Sequence, residues 1–270
     1  MSERATTAGI ITGDARGGKD TAADALVDRF GHPLVEAGRL YRLNTFHQLY
    51  QARTISLELP KEEISSHAGE IESEELFEVL GGIDAFIAQH GLGRLYESDI
   101  NSMVGYVANT EVAQKVTDQE VGNTIRRLIE RGEPHIIAVG RQLAHVAIAA
   151  GAEVALNAYF ECTVEEAARR ERLRKKVQPD TPQWDDIFTA LQKRYAEDHG
   201  REINTVAPED DAWRFHQKVE EEGFNNFTIG VAAAAHGVQI VLDTTRTSRD
   251  EMCAISQQMY AGALAYSRAS

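Results

Sequence analysis

A chain of 270 residues with 43% hydrophobic and 26% charged residues has the make-up of an ordinary globular protein and is long enough for one large α/β domain with a full core. Its 42 acidic residues against 28 Lys and Arg give a net charge of −14, which opposes nonspecific binding to a nucleic-acid polymer or an anionic membrane. No signal-peptide core and no apolar run near the ~18 residues of a membrane span is found, so the expected location is the cytoplasm.

Ala8–Thr12 reads as a short buried strand that ends in a glycine-rich turn. Thr21 to Phe30 then carries apolar residues at helical spacing, with Gly31 placed to stop the helix. Leu34-Val35 suggests a second strand, followed by a helix from about Gly38 to Gln51. His135–Val139, Ala155–Cys162 and Val238–Leu242 are further candidate buried strands with helices between them. That alternation predicts the α/β class: a three-layer core with a parallel sheet and helices on both faces. Two stretches interrupt it, an acidic one over about 57–107 that reads as an inserted subdomain, and a second insertion over about 208–235. The two cysteines, Cys162 and Cys253, make neither a disulfide framework nor a zinc spacing, and the nine histidines include no HExxH-like pair.

Gly13-Asp14-Ala15-Arg16-Gly17-Gly18-Lys19-Asp20-Thr21 follows a strand and opens a helix. Glycines at such a turn let backbone N–H groups converge on phosphate oxygens, and the helix N-terminus adds a favourable partial charge. Lys19 is then the mobile cation for the β- and γ-phosphates of ATP. The strict pattern has Ser or Thr after the lysine; here the residue is Asp20, and the hydroxyl comes one place later, at Thr21. The Asp20 carboxylate suits Mg²⁺, directly or through water, and equally suits capping of the helix. Gly-Lys-Asp-Thr resembles the loop of phage-type deoxynucleoside monophosphate kinases and animal-type phosphomevalonate kinases.

Downstream, Glu36-Ala37-Gly38-Arg39-Leu40-Tyr41-Arg42 resembles the Asp-Ser-Gly-x-x-Tyr-Arg segment of bacterial cytidylate kinases. The likeness continues through Asp99–Ser102, Glu111-Val112, Thr117, Arg126, Gly140-Arg141-Gln142, Phe160–Thr163 and Glu165–Arg170. It closes with the Arg-x3-Asp-x2-Arg spacing of Arg194, Asp198 and Arg201, Val206-Ala207-Pro208, and Leu242–Thr245. This resemblance implies an ATP-binding core, a lid over about 165–205, an acceptor-binding insert and Mg²⁺. The implied reaction moves the γ-phosphate of ATP to a pyrimidine nucleoside monophosphate of the CMP or dCMP kind. Carried over by position, Gly13, Gly17, Gly18, Lys19, Asp20, Thr21 and Arg170 hold ATP. Ala37, Tyr41, Arg42, Thr117, Arg126, Arg141, Gln142, Arg194, Asp198 and Arg201 are on the acceptor side. Lys19, Arg141 and Arg201 act on the transferring phosphate.

Bland readings stand beside these. Arg170 lies on a helix dense with charge, where a solvated face is common, and Arg194 with Asp198 is also a plain i,i+4 pair worth about 0.3–0.5 kcal/mol. Tyr41 reads as packing more than catalysis, and His145 as filler. The chain departs from the family on the acceptor side: Val139 and Gln142 replace acids, and Ala37 replaces a serine. An amide at 142 both donates and accepts, so it can read a cytosine edge or a uracil edge. Two other readings remain open: a P-loop kinase for another small metabolite, and a nucleotide-binding protein without turnover.

Overall fold

The computed structural model describes residues 5–54, 82–108, 110–141, 143–200 and 207–270. By contacts the chain forms two compact units, one of Met1–Val35 with Ile125–Ser270 and one of Glu36–Thr124.

The first unit is built on a six-stranded sheet of order β2-β3-β1-β4-β6-β5. The strands are β1 (Thr7–Gly13), β2 (Leu34–Glu36), β3 (His135–Val139), β4 (Glu153–Glu161), β5 (Trp213–Arg214) and β6 (Gln239–Asp243). β1 pairs in parallel with β3 and β4, and β6 in parallel with β4 and β5. A strand with a neighbour on each side and helices above and below buries both faces, which is why Thr7–Gly13 carries no charge and is buried throughout.

Parallel neighbours need crossovers, and the helices supply them. They are α1 (Lys19–Phe30), α2 (Ala37–Thr54), α3 (Gly82–His90), α4 (Ser98–Val107), α5 (Glu111–Glu130), α6 (Leu143–Ala149), α7 (Val164–Lys175), α8 (Pro182–His199), α9 (Phe215–Glu222), α10 (Asn226–His236) and α11 (Arg249–Ala269). On one face of the sheet Ile11, Leu156, Phe160, Ile240 and Leu242 pack with Leu26 of α1, Ile229 of α10 and Met259 and Leu264 of α11. α11 starts on a full capping box, Ser248 with Glu251, which satisfies two orphan donors of its first turn.

The alternate residues of the same strands point to the other face, where the strand period places a polar row: Thr12, Asn157 and Gln239, all buried. Asn157 Nδ2 donates to Glu209 Oε1 at 2.8 Å, Gln239 Nε2 to Asn157 Oδ1 at 3.3 Å, and the Glu209 N–H to Gln239 Oε1 at 2.9 Å. This closed ring ties the chain just after Pro208 to the sheet. The 208–235 stretch supplies β5, α9 and most of α10, and α10 packs on α11 and β4. It is thus part of the sheet and its core, because burial of Phe215, Ile229 and Ala233 makes it so.

The second unit packs α2 against α3, α4 and a 3-10 turn at Leu92–Tyr96, around Leu43, Phe86 and Leu95. Arg94 donates to both oxygens of Asp99, at 3.0 and 2.9 Å, and lies over the Phe46 ring at 5.0 Å. Of the expected 57–107 subdomain, 57–81 lies outside the described residues, and α3, the 3-10 turn and α4 form the rest. No helix among the described residues is long and apolar enough to cross a membrane.

At the end of the sheet where β1 begins, His135 packs 4.8 Å from the His32 ring and receives a bond from Arg268 at Nε2, 3.2 Å away. An accepting Nε2 leaves Nδ1–H to donate to Thr7 Oγ1 at 2.7 Å. Burial, then the His32 and Arg268 charges, push its pKa down to about 4. A histidine depressed in the folded state leaves the unfolded chain holding the extra proton between its ordinary value and that of the fold. Stability should therefore be full above about pH 6.5, the ordinary histidine value, and fall as pH drops towards 4. Comparing urea midpoints of the wild type and His135→Asn from pH 7 to 4 checks this: the variant should lose part of the acid slope, and parallel curves would refute it.

Candidate active site

The loop between β1 and α1 takes its shape from two glycines. Gly13 has φ 141°, and a Cβ there would meet the Phe160 carbonyl oxygen at 2.3 Å. Gly18, the α1 N-cap, has φ 96°, and a Cβ there would meet Met252 Sδ at 2.4 Å. Neither position accepts another residue without strain. Gly17 donates to the Asp14 carbonyl at 3.1 Å, which closes the turn.

The loop is pinned from three directions. Asp14, buried in the turn, accepts from Tyr159 Oη at 2.7 Å, the Cys162 N–H at 2.9 Å and His199 Nε2 at 2.9 Å. Its own N–H donates to the Phe160 carbonyl at 2.9 Å. From α7, Arg170 donates to the Arg16 carbonyl at 3.0 Å and to Thr244, while Glu166 holds its Nε at 2.9 Å. From the end of β6, the buried Thr244 hydroxyl lies 2.8 Å from the Gly17 carbonyl. Arg170 is therefore engaged with the loop, and its neighbour Arg169 is the one on a solvated face, paired with Glu166.

Around Lys19 positive charge collects. Burial pushes its ammonium pKa down; Asp20 opposes that, and Arg194, Arg141 and Arg16 add to it. Arg16 is likewise lowered, first by burial and then, against the pull of Glu171, by Arg174 and Arg194. Two buried carboxylates among the described residues supply countercharge. Asp198, buried on the last turn of α8, takes Arg141 Nη2 at 2.5 Å and Arg194 Nε at 3.6 Å. Asp198 is thus bound more closely by Arg141, 57 residues away, than by its i,i+4 neighbour. Glu171 meets Arg16 at 2.7 Å and Arg174 at 2.7 Å; burial alone would raise its carboxyl, and these cations instead hold it at about 2. Asp20 is 71% exposed and lies 3.9 Å from Lys19. It accepts no backbone N–H bond among the described residues, so it does not cap α1. An anion with several oxygens is what such a set of cations and loop N–H groups can neutralise.

The other expected residues are placed as follows. Thr21 follows Asp20 in the first turn of α1. Ala37 is buried at the start of α2 and offers only a methyl group. Tyr41 accepts at its carbonyl from Thr45, and Arg42 donates to the Gly38 carbonyl at 3.1 Å and lies 4.8 Å over the Tyr96 ring. Thr117 is fully buried on α5, and its hydroxyl has no hydrogen-bond partner among the described residues. Arg126 is exposed on the same helix. Gln142 and Arg201 lie outside the described residues. Sequence reasoning gave no role to Arg16, Asp14, His199 or Thr244. A signal existed for Arg16, a lone cation inside the glycine loop; the others are joined only by the fold.

A carboxylate for Mg²⁺ is available at Asp20, beside the Thr21 hydroxyl; the Asp14 carboxylate is spent on Tyr159, Cys162 and His199. Among the described residues no group of three or more His, Cys, Asp or Glu side chains is placed to hold a metal alone. Mg²⁺ that arrives on phosphate oxygens needs only one or two protein ligands.

Comparison with known proteins matches residues 10–218 to the cytidylate kinase family. The chain is 26% identical over 215 residues to a cytidylate kinase of Streptococcus pyogenes serotype M49 (strain NZ131), covering 76% of this chain and 86% of that protein. It is 26% identical over 212 residues to a cytidylate kinase of Streptococcus equi subsp. equi (strain 4047), covering 75% and 84%. It is 23% identical over 210 residues to cytidylate kinase 2 of Haemophilus influenzae, covering 76% and 87%.

Removing Asp198 would take away a carboxylate that Arg141 and Arg194 share. Asp198→Ala should destabilise the free protein by about 2–3 kcal/mol in urea denaturation, as for a half-buried pair stripped of one partner. A loss under about 0.5 kcal/mol would mean the pair is screened like one at the surface.

Proposed function

Because the chain belongs to the cytidylate kinase family, we propose that it transfers the γ-phosphate of ATP to a pyrimidine nucleoside monophosphate of the CMP or dCMP kind. The family makes it a phosphotransferase with ATP as donor; the acceptor base and the role of each residue are our reading. The observation that carries the reading is the cationic cluster of Arg16, Lys19, Arg141 and Arg194 beside a glycine loop.

Phosphoryl transfer asks little covalent work of a protein; it asks that two anions be held in line and their charge spread. The glycine loop cradles the donor phosphates, with Gly13, Gly17 and Gly18 assigned there by the family pattern, and Lys19 follows the charge that moves to the β–γ bridge. Its lowered pKa still leaves an ammonium once a polyphosphate is beside it, because an opposite charge favours the charged form. Arg170, from the lid stretch 165–205, ties the loop from outside and holds the ATP side of the cluster. Arg141 and Arg201 grip the acceptor phosphate, with Arg42 assigned there by the family pattern, as are Ala37 and Tyr41 to the acceptor side. Arg194 and Asp198 orient each other and Arg141, and meet the sugar hydroxyls. Thr117, Arg126 and Gln142 are assigned to the base. Asp20 would hold Mg²⁺ or its waters, and Thr21 would offer its hydroxyl to the phosphates; the ion would supply charge neutralisation there.

Coupled ADP release measured over the ribo- and deoxyribonucleoside monophosphates tests the acceptor. A cytosine nucleotide should give the highest kcat/KM, by about tenfold or more over purine nucleotides, a gap of the size one well-placed hydrogen bond provides. Lys19→Ala should lose on the order of a hundredfold or more in kcat and keep its fold. Turnover of purines alone would remove the pyrimidine assignment, and near-normal activity of Lys19→Ala would remove the role of the lysine.

Asp20 has its own test. Asp20→Asn should raise the magnesium concentration for half-maximal rate several-fold more than it raises the KM for ATP. An unchanged magnesium titration would take the metal away from Asp20.

A further inference from the structure

His199 ends α8 with its Nε2 2.9 Å from Asp14 Oδ1. That oxygen belongs to a carboxylate, so Nε2–H donates. Tyr195, one turn earlier, stacks on the His199 ring with centroids 3.9 Å apart and planes 23° from parallel, which fixes the direction of the donor. The next residue back is Asp198, bonded to Arg141 and Arg194. One helix end therefore reaches two things at once: the arginines through Asp198, and the phosphate loop through His199.

Asp14 is the residue in the loop that such a contact can use. The carbonyls of Arg16 and Gly17 are held by Arg170 and Thr244, so the late part of the loop is tied to α7 and β6. The early part is tied through the Asp14 side chain, to β4 by Tyr159 and Cys162 and to α8 by His199. The Tyr159 phenol is pushed far up by burial and then by the Asp14 charge, so it stays a donor. Two donors, Tyr159 of β4 and the Cys162 N–H just past its end, remain without His199, and the buried carboxylate keeps partners when the histidine is removed.

We propose that His199 is a positioning residue for the donor-phosphate loop: through Asp14 it sets the loop in register with the helix end that carries Asp198. This rests on the kinase reading above. The assignment explains why a carboxylate sits in a loop meant for anions. Its oxygens are consumed by three donors, one of them supplied by α8.

Direct titration with ATP, with no acceptor present, tests it, since the result does not depend on which monophosphate is the substrate. His199→Ala should bind ATP about tenfold more weakly at an unchanged melting temperature, the size of one hydrogen bond to a charged group. His199→Gln places an amide Nε2 donor in the same region and should bind within about twofold of wild type. If His199 acts through Asp14, adding His199→Ala to Asp14→Ala should weaken binding no further. ATP binding by His199→Ala equal to wild type, a His199→Gln variant as weak as His199→Ala, or additive losses in the double variant would each overturn the proposal. A wild-type protein that does not bind ATP would instead overturn the kinase reading on which it stands.

Discussion

Like charges held close together in a half-buried place are the constraint on which the rest of this structure depends. Burial first, and then the neighbouring cations, lowers the proton affinity of Lys19 and Arg16: Arg194, Arg141 and Arg16 act on Lys19, and Arg194 acts on Arg16. Such a cluster costs free energy in the free protein and is kept only where something offsets it. Asp198 and Glu171 offset part of it, from α8 and α7, and each is buried where it serves two or more cations. A bound polyanion would complete the electrostatics of such a cluster, in a protein whose net charge of −14 would otherwise repel one.

Holding that cluster requires a rigid loop, and the fold provides it through β4. The Phe160 carbonyl receives the Asp14 N–H, Tyr159 and Cys162 donate to the Asp14 carboxylate, and the Glu161 carbonyl receives the Thr244 N–H at 2.9 Å. Four consecutive residues of one central strand and its exit thus anchor both the loop and the chain leaving β6. Central parallel strands are the least mobile parts of such a sheet, so the loop borrows their rigidity.

The strands were legible because buried parallel strands are apolar runs. Ala8–Thr12, His135–Val139 and Val238–Leu242 each fall within a residue or so of the strand ends. The loop was legible because its glycines and lysine carry the mechanism in the backbone itself. The 208–235 stretch was harder: β5 is two residues long, too short to show a strand period. Arg194 with Asp198 could be found from spacing, but the closer bond from Arg141 could not, since it joins residues 57 apart. Asp14 and His199 are 185 apart, and neither residue type at either position announces the other. Asp20 was legible only as a carboxylate behind the lysine; its exposure and its 3.9 Å distance from Lys19 come from the fold.

If the cluster is a polyphosphate site, binding must follow phosphate charge more than the nucleoside. Melting temperature measured with adenosine, ADP, ATP and inorganic tripolyphosphate, at low salt and again near 0.5 M salt where the Debye length is only a few ångströms, tests this most directly. Stabilisation should rise with the number of phosphates, be substantial with tripolyphosphate alone, and shrink at high salt. Equal stabilisation by adenosine and ATP, or none by tripolyphosphate, would contradict a site organised around the charge at Lys19.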